Sequence, residues 1–165
     1  MRIDHGNTLF IQQTHGPWLI GIAMMCPKSG YQFFDHTADI GIRAEGETLQ
    51  VLFVAMAQGL MELIVEDSKI EPQEVRRIEL SADSTESLLL AWLKELLFWF
   101  STDRFLPLRY EIEEITLTTL RGQLHGEEFD PSRHVQGREV KAITRHLLEV
   151  RNVDGAWQAQ VIVDL

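Results

Sequence analysis

The chain has 165 residues, 45% of them hydrophobic and 24% charged, the make-up of one ordinary globular domain with a sizeable core. Its 25 Asp and Glu outweigh 15 Lys and Arg, and the formal charge of −10 argues against a broad phosphate-binding face. That balance suits a protein that binds cations or docks on a basic partner, and equally one that is merely soluble.

Residues 1–29 carry no sustained periodicity and end in the breaker cluster Pro27-Lys28-Ser29-Gly30. They read as an N-terminal extension, disordered or made from an upstream start, ahead of a domain spanning 30–165. The apolar stretch 18–26 is too short to cross a bilayer, and the residues before it make a poor secretory leader. The single cysteine, Cys26, excludes an intramolecular disulfide and a Cys-based zinc site and fits a reducing cytosol.

Strands are expected over 30–34 and 40–45, on either side of the polar run Asp35-His36-Thr37-Ala38-Asp39. Thr48 is a candidate N-cap for a helix over 49–64, where Leu49, Leu52, Phe53, Met56, Leu60 and Leu63 recur at helical spacing. A polar loop over 66–74 leads to an alternating strand over 75–81. Ser84 or Thr85 caps a second helix over 86–102, apolar nearly all round and therefore buried on most sides or docked on a partner. Strands over 107–117 and 120–129 follow, then a loop over 130–137. The β-rich runs 140–150 and 157–165 are joined through Asp154-Gly155, a strong hairpin signal because both residues tolerate positive φ. Two helices are too few to cover both faces of a sheet. The expected class is α+β, a two-layer sandwich with two helices on one face of a largely antiparallel sheet.

Asp35, His36 and Asp39 place two carboxylates and an imidazole within five residues at a strand end. Such oxygen ligands suit a hard divalent cation. The plainer alternative has Asp39 capping a turn and His36 bonded to a backbone carbonyl. Asp164 closes an apolar strand whose character persists to Leu165, although terminal residues usually fray. A metal held by Asp39, Asp164 and a Leu165 oxygen would tie that end down; an exposed strand end is the alternative. Glu95 falls among apolar neighbours on the second helix and must face solvent, be paired or be functional. Lys141, alone in a strand, reads physically as an exposed gatekeeper. There is no Gly-rich phosphate loop, Walker-type Lys or Gly-x-Ser-x-Gly elbow, so a self-standing metal-dependent hydrolase is a weak reading.

The run Gly30-Tyr31-Gln32-Phe33-Phe34-Asp35-His36-Thr37-Ala38-Asp39-Ile40-Gly41-Ile42-Arg43-Ala44 resembles the start of the archease family. So do Glu139-Val140-Lys141-Ala142-Ile143-Thr144-Arg145-His146 and the closing 157–165. The family commonly has Tyr in place of Arg145 and Ile in place of Leu165. The resemblance covers 30–165 and implies a cytoplasmic accessory protein of the RtcB-type RNA ligase in tRNA splicing and RNA repair. It implies an activator, not an enzyme, that promotes guanylylation from GTP and multiple turnover, without stable RNA binding of its own and without a membrane. It further implies a bound divalent metal, usually Ca²⁺, with Asp39, Asp164 and Leu165 as ligands, and Glu95 and Lys141 as positions important for activation. A chaperone-like docking module with a purely structural metal is the rival reading.

Overall fold

Thr48 and Ser84 set the two helices. In the computed structural model, which describes residues 29–36, 39–66 and 69–165, the Thr48 hydroxyl accepts from the Val51 amide at 3.2 Å and opens α1 (Leu49–Ile64). The Ser84 hydroxyl accepts from the Ser87 amide at 3.2 Å and opens α2 (Thr85–Asp103). Residues 1–28 of the expected extension lie outside the described residues.

The strands are β1 (Ser29–His36), β2 (Asp39–Gly46), β3 (Val65–Glu66), β4 (Glu74–Ser81), β5 (Phe105–Ile115), β6 (Thr119–Glu128), β7 (Val135–Gln136), β8 (Ala142–Val153) and β9 (Ala156–Asp164). Every pairing is antiparallel. The expected α+β class holds, but the strands form more than one sheet. A four-stranded sheet runs β1-β2-β9-β8, a three-stranded one runs β4-β6-β5, and β3 and β7 make a two-residue ladder. That ladder sits where the sequence reads as loop, because two-residue strands carry no period to detect. The hairpin between β8 and β9 turns through Asp154 (φ 51°) and Gly155 (φ 87°), both left-handed as Asp-Gly predicts.

The α1 face of the four-stranded sheet carries Ile42, Ala44, Ala159, Val161 and Val163, all buried against Leu52, Phe53, Met56 and Leu60 of α1. Most of the apolar circumference of α2 is buried: Leu88, Leu89, Trp92, Leu93 and Leu96 are fully enclosed, while Phe98 faces outward at 57% exposure. The Trp92 indole still needs an acceptor, and it donates to the Phe53 carbonyl at 3.0 Å, tying α2 to α1.

Gly126 on β6 has no room for a side chain. A Cβ there would stand 2.0 Å from the Leu106 carbonyl oxygen on β5. Backbone cannot yield as a flexible side chain can, so Gly126→Ala should force the β5–β6 ladder apart. We expect it to lower the unfolding free energy by about 1–3 kcal/mol, read from the midpoint of urea unfolding.

Candidate functional site

Strand register brings the two ends of the domain together. Ile40 of β2 pairs with Val163 of β9, so Asp39, one residue earlier, and Asp164, one residue later, stand opposite each other at one end of the two central strands. Alternation sends both away from α1. Ile42, Val161 and Val163 fill the core, whereas Asp39 and Asp164 share the outer face with Arg43 and Gln160, joined there at 3.2 Å. Both carboxylates are half-buried.

Lys141 closes the third side. Its amide donates to the Asp164 carbonyl at 2.9 Å and Ala142 pairs with Asp164. Its ammonium donates to the Leu165 main-chain oxygen at 2.7 Å. It is therefore exposed, as a gatekeeper would be, but engaged with the chain end. A cation on the Leu165 oxygen would share it with Lys141 or displace that ammonium.

Glu95 lies on α2, which packs beside the segment that carries Lys141. The Ser87 hydroxyl lies 3.5 Å from the Arg145 guanidinium. About three to four turns on, Leu97, Phe100 and Ser101 line a cavity of about 160 Å³ with Arg138, Glu139 and Val140. Helix α2 thus runs alongside 138–145, and Glu95 lies between those two anchors. It shares the Ser87-Ala91-Glu95 stripe, spaced i, i+4, i+8, and is half-buried.

The outer face holds two further features. The Phe34 ring lies directly over Gly41, where a Cβ would sit about 2.0 Å from it, and the Arg43 guanidinium stacks 4.2 Å from that ring's centre. His36, the cross-strand partner of Asp39, has its ring 5.3 Å from that of His146. Its Nδ1 is buried with no hydrogen-bond partner among the described residues, so the expected backbone-carbonyl bond is not made there. The His36–His146 contact was not legible in sequence, because it depends on an irregularity in β8.

Among the described residues, no three His, Cys, Asp and Glu side chains form a ready-made metal cage. A site built from Asp39, Asp164 and a Leu165 oxygen needs only two such side chains, the third donor being main chain. Its all-oxygen chemistry fits a hard cation such as Ca²⁺, which accepts carboxylate, carbonyl and water oxygens together.

The Archease protein family (MTH1598/TM1083) matches residues 31–165. The chain belongs to the archease family. A Pyrococcus furiosus protein archease is 40% identical over 139 residues, covering 82% of this chain and 98% of the relative. The protein archease of Sulfurisphaera tokodaii is 36% identical over 137 residues, with the same coverage of 82% and 98%. The solution structure of Methanobacterium thermoautotrophicum protein 1598 is similar at a TM-score of 0.68 and 37% identity, over 82% of this chain and 99% of that one. A crystal structure of a Thermotoga maritima archease, described as a possible chaperone, has the same fold at a TM-score of 0.52 and 18% identity, covering 88% of this chain and all of that one. No helix among the described residues is long and apolar enough to cross a membrane.

Proposed function

We propose that the chain is a metal-binding accessory protein that activates an RtcB-type RNA ligase, promoting its guanylylation and repeated turnover in tRNA splicing and RNA repair. The reading rests on family membership and on one observation: Asp39 and Asp164, 125 positions apart in sequence, stand together at one end of the central strands beside Lys141 and the Leu165 oxygen. Asp39, Asp164 and Leu165 would hold a divalent ion, Ca²⁺ by its donor set. That ion would supply fixed positive charge for phosphate oxygens in the partner's active site.

The chain's own residues supply the rest. A carboxylate-rich tip on a protein of charge −10 is steered to a basic, metal-loaded cleft. Lys141, released from the Leu165 oxygen, pairs with a phosphate or a partner carboxylate. Glu95, beside the same segment, meets a basic group of the partner. The protein performs no turnover alone and works in the cytoplasm, without stable contact to RNA.

The test is to mix the chain with its RtcB-type ligase, RNA ends, GTP and metal. Joining should pass from about one product per ligase to many. Product that stays at one per ligase with the chain present would overturn the proposal. Activation by metal-free but folded protein would instead support docking with a purely structural ion.

A further inference from the structure

We propose that His36 and His146 form a second cation site on the tip, taking a first-row transition ion such as zinc or cobalt through their imidazole nitrogens. The proposal stands whether or not the tip serves a ligase.

The two histidines come from opposite edges of the four-stranded sheet, β1 and β8, with β2 and β9 between them. Three strand spacings would separate them by roughly 14 Å. Their ring centres are nevertheless 5.3 Å apart, at an angle of 56°. The approach is built by a large bulge. Between two consecutive pairings, β8 advances from Thr144 to Glu149 while β9 moves only from Ile162 to Gln160. The surplus residues include Leu147 at φ 55°, a conformation that costs a branched side chain energy and persists only when its surroundings hold it. Two bonds do so: the Gln160 side-chain Nε2 donates to the Leu147 carbonyl at 3.1 Å, and the His146 main-chain amide donates to the Thr144 hydroxyl at 3.3 Å. Bulges of this kind re-aim side chains next to working sites.

The outer face is covered at Ile162. It points away from α1 and stands outside the main core, yet it is only 1% exposed. On the same outer face the buried Nδ1 of His36 has no hydrogen-bond partner among the described residues. An orphaned ring nitrogen inside a protein is costly, and its lone pair is a metal donor. Imidazole nitrogen selects borderline transition ions, whereas the neighbouring carboxylate pair selects hard ones. Two protein ligands leave the remaining positions to water, in keeping with the lack of a three-ligand cage among the described residues.

The test titrates the full chain with Co²⁺, followed by its visible absorption and by calorimetry, with Ca²⁺ titrated separately. Wild type should bind one Co²⁺ with an imidazole-type spectrum. His146→Ala, at an exposed position where folding is not at stake, should weaken Co²⁺ binding at least as much as losing a supporting group does, about 10–100-fold, and leave Ca²⁺ binding unchanged. Asp164→Asn should do the reverse. Absence of Co²⁺ binding by wild type, or equal binding by His146→Ala, would overturn the proposal and reduce the pair to ring packing. Failure of wild type to bind Ca²⁺, with His-dependent Co²⁺ binding kept, would count against the carboxylate site and leave this one standing.

Discussion

Replacing Glu127 with alanine is expected to lower the unfolding free energy by about 1–3 kcal/mol, the usual cost of leaving a buried hydrogen-bonding group without its partner. Glu127 is only 3% exposed, on β6. Its carboxylate pairs with the Arg133 guanidinium, accepts from the Glu71 amide at 2.6 Å and stands 3.2 Å from His134 Nε2. The Asp130 amide donates to His134 Nδ1 at 2.9 Å, so Nδ1 is the acceptor and Nε2 carries the proton that faces Glu127. Alanine would leave that imidazole N–H unsatisfied inside the protein and strip the Glu71 amide of its acceptor. It would also free the 130–137 loop, which leads directly to Arg138 and Lys141.

Acid should erase much of this difference. Burial pushes the Glu127 carboxyl up, but the Arg133 hydrogen bond, the Glu71 amide and the Arg133 charge outweigh it and hold the group below the usual carboxylate range. A folded-state value below the unfolded one means the contribution is complete above the unfolded value and disappears as pH falls through the folded one. Urea midpoints of wild type and Glu127→Ala should therefore lie far apart at pH 7 and converge towards acid. A gap that stays constant with pH would show that the ionised carboxylate is not what the network uses.

Sequence reasoning succeeded where periodicity or a single residue's chemistry decides the matter. Thr48 and Ser84 cap as hydroxyls should, Asp154-Gly155 turns as two residues tolerant of positive φ should, and both helices bury most of their apolar side chains. The meeting of Asp39 with Asp164 was legible only as a condition, since register between strands so distant in sequence is set by the core pattern and not by local signals. Three features left no trace. Glu127 looks like any of 25 acidic residues until His134 and Arg133 fold onto it. The β8 bulge interrupts an alternation that the sequence does not visibly break. The division of the strands into separate sheets depends on which edges α1 and α2 leave open, a property of packing alone.

Asp39→Asn and Asp164→Asn should each abolish stimulation of the ligase, by at least the 10–100-fold that a mere supporting group costs a metal site. Both positions are half-buried at a strand end, and amide replaces carboxylate almost atom for atom, so folding should be little affected and circular dichroism should be unchanged. The two carboxylates act on one ion, so the double variant should be hardly worse than either single one. A chain that steers by overall charge alone would behave differently. Removing one charge from a balance of −10 slows encounter modestly, and raising the concentration of the chain restores the rate. Loss of a shared metal ligand cannot be restored that way. Guanylylation measured at saturating variant separates the two cases: a persistent defect supports the metal-bearing tip, and full recovery by either variant would remove it.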